Sequence, residues 1–161
     1  MIKYIGLGLV ALSALRLSGD YSKRQKRRLC ELLGFVDFIS RMRIKIGCFM
    51  QRGRELSEDF ECEALERVGF LGALRGGHTL TEAYGVCRER LALEGREREL
   101  LDELFAGIGV GYLSDGVRIT DKTLAELEKT ADRLRLDVPR NIKLFATLAA
   151  AFSVGLIILV A

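Results

Sequence analysis

The sequence predicts an all-α protein, a helical bundle of about six helices flanked by N- and C-terminal transmembrane helices. Its 161 residues include a single proline and 17 glycines, so long helices can continue unbroken and glycines mark most of their ends. Both ends of the chain are apolar, whereas the middle is charged and has apolar residues at helical spacing. The predicted segments are residues 1–18 for the first membrane helix, 19–139 for the bundle and 140–161 for the second membrane helix.

Composition excludes several classes of protein. Apolar residues make up 49% and charged residues 29% of the chain, which is typical of a folded protein and not of a disordered one. The net charge of +3 is too small to indicate nucleic-acid binding. Aromatic residues make up only 7%, with no tryptophan, which argues against a surface for stacking bases. We therefore expect no nucleic-acid partner.

The C-terminal apolar segment is the longer of the two predicted spans. Residues 144–161 are 18 residues without a charge, which as a helix span roughly 27 Å, close to the hydrocarbon core of a bilayer. Thr147 and Ser153 can donate hydrogen bonds to helical carbonyls. A buried core helix is the alternative, but a domain of this size has too little protein to surround an all-apolar helix.

The N-terminal apolar segment is shorter and leaves more alternatives open. Residues 4–15 lie between Lys3 and Arg16, whose side chains can reach the headgroups and lengthen the span to about residues 2–17. A segment of this length also fits a secretory signal or a soluble helix. A dense basic block follows and would itself have to cross the membrane after a signal, which favours a retained membrane helix.

Basic residues flank both spans on the side of the central region. Six lie between residues 16 and 28 and four between residues 133 and 143, each group with a single acidic residue. The positive-inside rule therefore predicts a cytoplasmic bundle. We expect the basic residues near the bilayer to bind anionic lipid headgroups. These are Arg16, Lys23, Arg24, Lys26, Arg27, Arg28, Arg140 and Lys143.

The central helices are predicted from apolar spacing and from end signals. Apolar residues recur every three or four positions over 29–49, so this helix can continue directly from the first span, with Glu31 outside its apolar face. A second helical stretch covers 55–75. Thr79 and Glu82 have capping-box spacing and start a helix that reaches about residue 93. Val86 is predicted to be buried in this helix. The next helix covers 97–108, with breaks at Gly107, Gly109 and Gly111. A last soluble helix starts at Thr120 or Asp121, and Pro139 marks a kink or the first turn of the membrane helix.

Charge is segregated along the chain. Residues 1–53 carry a net charge of +8, whereas residues 54–103 carry a net charge of −6. A solvated helix surface is one interpretation of the acidic part, and a docking face for a basic partner is the other. The candidate partner-binding residues are Glu55, Glu58, Asp59, Glu61, Glu63 and Glu66.

No pattern indicates catalysis, a cofactor or a metal. The four cysteines contain no Cys-x-x-Cys pair, and most are expected to be small core residues. His78 is the only histidine, too few ligands for a zinc site, and we expect it in an exposed loop with no nucleophile beside it. The glycine clusters lack the lysine and hydroxyl residue of a nucleotide-binding loop. We therefore predict no catalytic residue, no cofactor and no metal.

Several features follow one another along the chain: a short first span, a basic block, a leucine-rich helix, two short motifs and a long helix into an apolar tail. The start of the span is Ile2-Lys3-Tyr4-Ile5-Gly6, and the two motifs are Gly77-x-x-Leu80-x-Glu82-Ala83 and Gly111-Tyr112-Leu113-Ser114-Asp115. This order of features resembles the stage III sporulation protein AB family of endospore-forming bacteria.

This resemblance implies a bundle similar to the cytoplasmic domain of the type II secretion F protein. It also implies a non-enzymatic membrane component of the channel complex between mother cell and forespore, located in the mother-cell membrane around the forespore. The expected partners are the lipid bilayer, a cytoplasmic secretion-type ATPase and other channel subunits, with a second copy of the chain as a further candidate. An unrelated membrane-anchored adaptor or regulator, or a membrane enzyme, are the alternatives.

Overall fold

Six helices form the described part of the chain, which in this computed structural model comprises residues 2–45, 57–108 and 113–160. No strand occurs in these ranges, so the all-α prediction is confirmed. The helices are α1 (Ile2–Lys45), α2 (Glu63–Val68), α3 (Phe70–Arg75), α4 (Leu80–Arg88), α5 (Arg96–Ile108) and α6 (Leu113–Val160).

The chain divides into two compact units. The central unit is Arg27–Arg133, and the terminal unit combines Met1–Lys26 with Leu134–Ala161. Helices α1 and α6 each contribute residues to both units. Among the described residues, no helix combines the length and the apolar character needed to cross a membrane.

An aromatic cluster forms the centre of the central unit. The rings of Phe35, Phe70 and Phe105 pack edge to face, with centroids 5.2 to 6.1 Å apart, a favoured geometry for aromatic pairs. Tyr84 stacks on Phe105 at 4.5 Å, and Phe38 contacts Phe70 at 5.1 Å. These rings come from α1, α3, α4 and α5, so aromatic packing holds four helices around one core.

Helix α1 packs closely against the start of α2 at Gly34, which is buried. A Cβ atom at this position would lie 2.8 Å from Sγ of Cys62 and 3.1 Å from Cγ of Leu65. Real Cβ atoms do not tolerate such distances, so a side chain here would force its neighbours to move. Gly34, which the sequence does not distinguish from other helical glycines, thus sets how closely α1 and α2 pack.

In the less regular helical stretch predicted over 55–75, residues 59–62 are not helical, and two short helices, α2 and α3, meet at Gly69. This residue has φ of +88° and caps the end of α2, where its N–H donates to the carbonyls of Glu66 and Leu65. The left-handed conformation suits glycine because it has no Cβ. The break redirects the chain after only six residues, so Leu65 and Val68 of α2 and Phe70 of α3 are all buried.

The capping box at the start of α4 is confirmed. The Glu82 N–H donates to Oγ1 of Thr79 at 3.3 Å, and the Thr79 N–H donates to Oε2 of Glu82 at 2.9 Å. The helix ends at Arg88, five residues before the predicted end. Val86 is 49% exposed, so its predicted burial is wrong, because the apolar face of α4 is formed by Ala83, Tyr84 and Cys87.

Helix α6 is one continuous helix from Leu113 to Val160. It begins before the predicted start at Thr120 or Asp121, and residues 113–119 are helical as well. Pro139 lies inside the helix, so it is not the first turn of a separate one. Gly109 and Gly111 lie outside the described residues, and α5 ends at Ile108, one residue after Gly107.

Candidate membrane and docking surfaces

The terminal unit carries an exposed apolar groove. It has a volume of about 490 Å³ and is lined by Leu17 of α1 and by Phe145, Leu148, Ala149, Ala151 and Phe152 of α6. Leu17, Leu148 and Phe152 are 62 to 67% exposed. Exposed apolar patches of this kind mark contacts with membranes, proteins or ligands. The groove lies in the segment predicted to enter the bilayer.

Aromatic stacking joins the two helices of the terminal unit beside the groove. The ring of Tyr21 on α1 lies 4.9 Å from that of Phe145 on α6, with 24° between the planes. Leu17 is one helical turn before Tyr21, on the same face of α1. Between the lining residues Phe145 and Leu148, Thr147 donates to the Lys143 carbonyl at 2.9 Å, as predicted. The side chain of Ser153 lies outside the described residues.

Six of the eight predicted headgroup-binding residues belong to the terminal unit. Arg16, Lys23, Arg24 and Lys26 lie on α1, and Arg140 and Lys143 lie on α6; all six are exposed. Arg16 directly precedes a groove residue, Leu17, in the sequence. The cations and the exposed apolar side chains therefore occur together in one unit.

The other two predicted headgroup residues, Arg27 and Arg28, belong to the central unit and bind carboxylates there. Nε of Arg27 donates to Oε1 of Glu31 at 2.6 Å. Nε and Nη2 of Arg28 donate to the two carboxylate oxygens of Glu97 at 2.8 and 2.6 Å. Glu31 and Glu97 are 1% and 2% exposed. A buried carboxylate requires such a partner, so we no longer assign Arg27 and Arg28 to lipid headgroups.

These buried carboxylates also hold the α4–α5 loop against α1. The Ala92 N–H donates to Oε2 of Glu31 at 2.6 Å, and Nη2 of Arg27 donates to the Arg90 carbonyl at 2.6 Å. The Glu94 N–H donates to Oε2 of Glu97 at 3.3 Å. We call Arg27, Arg28, Glu31 and Glu97 the α1 latch. Glu31 was expected outside the apolar face of α1, so that expectation is wrong.

The acidic docking candidates lie before and on α2. Glu58, Asp59, Glu61, Glu63 and Glu66 are exposed, whereas Glu55 lies outside the described residues. Two of them form ion pairs with arginines: Glu63 lies 2.6 Å from Nη2 of Arg67, and Glu66 pairs with Arg75. Arg75 also donates to the Ser57 and Phe60 carbonyls at 3.4 and 3.3 Å, which fixes the start of this acidic segment on α3.

A second polar cluster links α4 to α5. The Tyr84 hydroxyl donates to Oδ1 of Asp102 at 2.8 Å, and Arg88 binds the same carboxylate through Nε and Nη2 at 2.9 and 2.8 Å. Burial and the adjacent Asp102 raise the pKa of Tyr84 well above its usual value. The hydrogen bond from Arg88 lowers the pKa of Asp102. Tyr84 is only 4% exposed, so this cluster fastens α4 to α5 through a buried hydroxyl.

The described cysteines and the histidine differ in their exposure to solvent. Cys87 is buried, Cys62 is half-buried and Cys30 is exposed; Cys48 lies outside the described residues. His78 is exposed, as expected. Within the described ranges no group of three or more potential metal ligands occurs.

The latch and the Tyr84 cluster are the features that sequence reasoning missed. Their partners lie far apart in the chain, 69 residues for Arg28 and Glu97 and 18 for Tyr84 and Asp102. The one local signal was the four-residue spacing of Arg27 and Glu31, which fits an ion pair on one helix.

Comparison with known proteins identifies no relative. No protein-family model matches the chain, and neither a curated protein nor a solved structure matches it.

Proposed function

We propose that this chain is a non-enzymatic, membrane-anchored component of a sporulation-specific, type II secretion-like channel complex between mother cell and forespore. In this proposal residues 1–18 and 140–161 are transmembrane helices and the bundle between them lies in the cytoplasm. The bundle docks a cytoplasmic secretion-type ATPase, with the acidic residues before and on α2 as part of the docking surface. The resemblance in the order of sequence motifs supports the choice of complex.

Membrane anchoring is supported by the exposed apolar side chains of α6. Leu144, Leu148, Phe152 and Val154 are 55 to 67% exposed, and they belong to an uncharged segment of 18 residues. Leaving such side chains in water is unfavourable, by roughly 1.5–3 kcal/mol for each one that could be fully buried. This exposure is the observation that carries the proposal.

Fractionation of cells that express the tagged full chain tests the anchor. We expect the chain in the membrane pellet after a carbonate wash, with detergent required for release. The variant Leu148→Asp/Phe152→Asp should shift into the supernatant, because each Asp at the centre of a membrane helix costs about 2.5–3.5 kcal/mol. Leu136→Asp is the matched control, since Leu136 is 77% exposed on the same helix but precedes the apolar segment. Recovery of the wild-type chain without detergent contradicts the anchor.

A reporter that is active only in the cytoplasm tests the topology. Insertion after Gly77 places it in an exposed turn between α3 and α4, where no helix is interrupted. We expect activity inside the cell. A reporter that is active only after export would show that the bundle lies on the opposite side of the membrane.

Crosslinking in sporulating cells, followed by identification of the captured proteins, tests the partner. We expect a secretion-type ATPase, and less of it with Glu61→Gln/Glu63→Gln/Glu66→Gln. The control variant Glu89→Gln/Glu103→Gln/Glu128→Gln removes three exposed acidic groups elsewhere on the central unit. Equal capture by the two variants would exclude the acidic segment. Reproducible capture of unrelated proteins without an ATPase would favour the second candidate function, a membrane-anchored adaptor or regulator.

A further inference from the structure

Along α6, basic side chains come first and the apolar side chains that line the groove follow. Arg140, Leu144, Leu148 and Phe152 are four residues apart and therefore share one face of the helix. Lys143, Thr147 and Ala151 form the neighbouring row. Each row begins with a cation and continues into the lining of the groove. Eight residues separate Arg140 from Leu148, a rise of roughly 12 Å.

Basic side chains outnumber acidic ones in the segments that form the terminal unit. Residues 16–26 and 134–160 contain seven basic and two acidic side chains. Arg16 on α1 adds a third exposed cation next to the lining residue Leu17. The described side chains that line the groove are all apolar. A ligand that fits has an apolar chain and, at one end, a negative charge.

We infer that the groove holds one acyl chain of an anionic phospholipid, whose headgroup is bound by Arg140 and Lys143. This inference rests on the proposed membrane anchor and adds a bound lipid of defined charge to it. A phospholipid has the same order of chemistry as α6, from a charged headgroup to an apolar chain. Its charge complements the excess of basic residues, whereas an identical helix of a second copy would bring like charges together.

Native mass spectrometry of the full chain in non-ionic detergent tests the inference. The probes are dioleoyl phosphatidylglycerol and dioleoyl phosphatidylcholine, which have the same acyl chains and differ in net charge. We expect one tightly retained phosphatidylglycerol and weaker retention of phosphatidylcholine. Arg140→Gln/Lys143→Gln should lower affinity for phosphatidylglycerol by about 25-fold, from about fivefold for each charge removed, and change affinity for phosphatidylcholine by less than about twofold.

The groove is tested separately from the charge. Ala149→Phe places a ring inside the groove and should weaken retention of phosphatidylglycerol by about tenfold or more. Ala150→Phe is the matched control, because Ala150 is an exposed neighbour that does not line the groove. Ala151→Phe fills the groove from the adjacent row and gives an independent result if Ala149→Phe does not fold.

Three outcomes would overturn the inference. Equal retention of phosphatidylglycerol by Ala149→Phe and Ala150→Phe would exclude the groove. Equal retention of the two lipids by the wild-type chain would exclude charge recognition. A wild-type dimer that becomes a monomer with Ala149→Phe would assign the groove to a second copy. In each of these cases, a wild-type chain that stays in the membrane pellet after a carbonate wash would still support the membrane anchor. Failure of the lipid site and failure of the anchor can therefore be distinguished.

Discussion

Removal of Arg28 should destabilise the central unit far more than removal of an arginine from a surface ion pair. The Glu97 side chain is 3% exposed and that of Arg28 is 20% exposed, and two short hydrogen bonds join them. Arg28→Met leaves the carboxylate buried with the Glu94 N–H, at 3.3 Å, as a remaining donor. Loss of one partner from a buried ion pair costs about 3–5 kcal/mol. We expect a loss of about 3 kcal/mol, at the lower end because Arg28 is not fully buried.

The matched control is Arg67→Met on α2. Arg67 also binds a glutamate, Glu63, at 2.6 Å, but the two side chains are 55% and 88% exposed. Such a surface pair on one helix contributes about 0.5 kcal/mol or less. Urea unfolding of the full chain in non-ionic detergent, followed by circular dichroism, gives the free energy of unfolding for each variant.

A double variant separates the ion pair from general damage. Arg28→Met/Glu97→Leu replaces both charges by apolar side chains, so no charge remains buried without a partner. It should be more stable than Arg28→Met alone, because the penalty comes from the unpaired carboxylate. Equal losses of unfolding free energy for Arg28→Met and Arg67→Met would refute the reasoning. It would also be refuted if the loss for the double variant equalled the sum of the losses for Arg28→Met and Glu97→Leu, each measured alone.

Three further predictions concern packing, capping and pH. Gly34→Ala should lower the free energy of unfolding by about 1–3 kcal/mol, because the new Cβ overlaps Cys62. A Cβ at Gly85 has no neighbour within 4 Å, so Gly85→Ala should raise it by about 0.5–1 kcal/mol. Equal urea-unfolding midpoints for the two variants would contradict this prediction. Thr79→Ala should cost about 1 kcal/mol in urea unfolding through loss of the cap, and Thr79→Ser should restore most of it. Burial raises the pKa of Cys87 from 9.0 to about 12, so its contribution to stability is complete below pH 9 and is lost as pH rises from 9 to 12. Between pH 9 and 12, the unfolding midpoint should fall less steeply with pH for Cys87→Ala than for the wild-type chain. Parallel plots of midpoint against pH would show that the Cys87 thiol does not cause the fall.

The local features of the fold could be predicted from the sequence. The capping box at Thr79 depends on residues three positions apart, and the continuous α1 depends on apolar residues one turn apart. Both are properties of a single helix and need no tertiary contact. The candidate membrane segments are likewise visible as apolar runs, because their exclusion from water depends on composition and length.

The role of a residue in packing could not be predicted in the same way. Arg27 and Arg28 belong to the same basic block as Lys23 and Arg24, and in the sequence only the four-residue spacing of Arg27 and Glu31 distinguishes one of them. Their assignment to the α1 latch depends on carboxylates and a loop brought near by the fold. In the same way, Gly34 resembles any helical glycine until Cys62 and Leu65 lie against it.

The sequence by itself determined that the chain is helical, where the capping box starts a helix and which ends are apolar, because helical periodicity, caps and apolar runs act over a few residues. Only the tertiary structure decided which charges are buried and which are exposed. Ion pairs such as Arg28 with Glu97 join residues 69 positions apart, and a carboxylate is stable in the interior only where the fold supplies its donors.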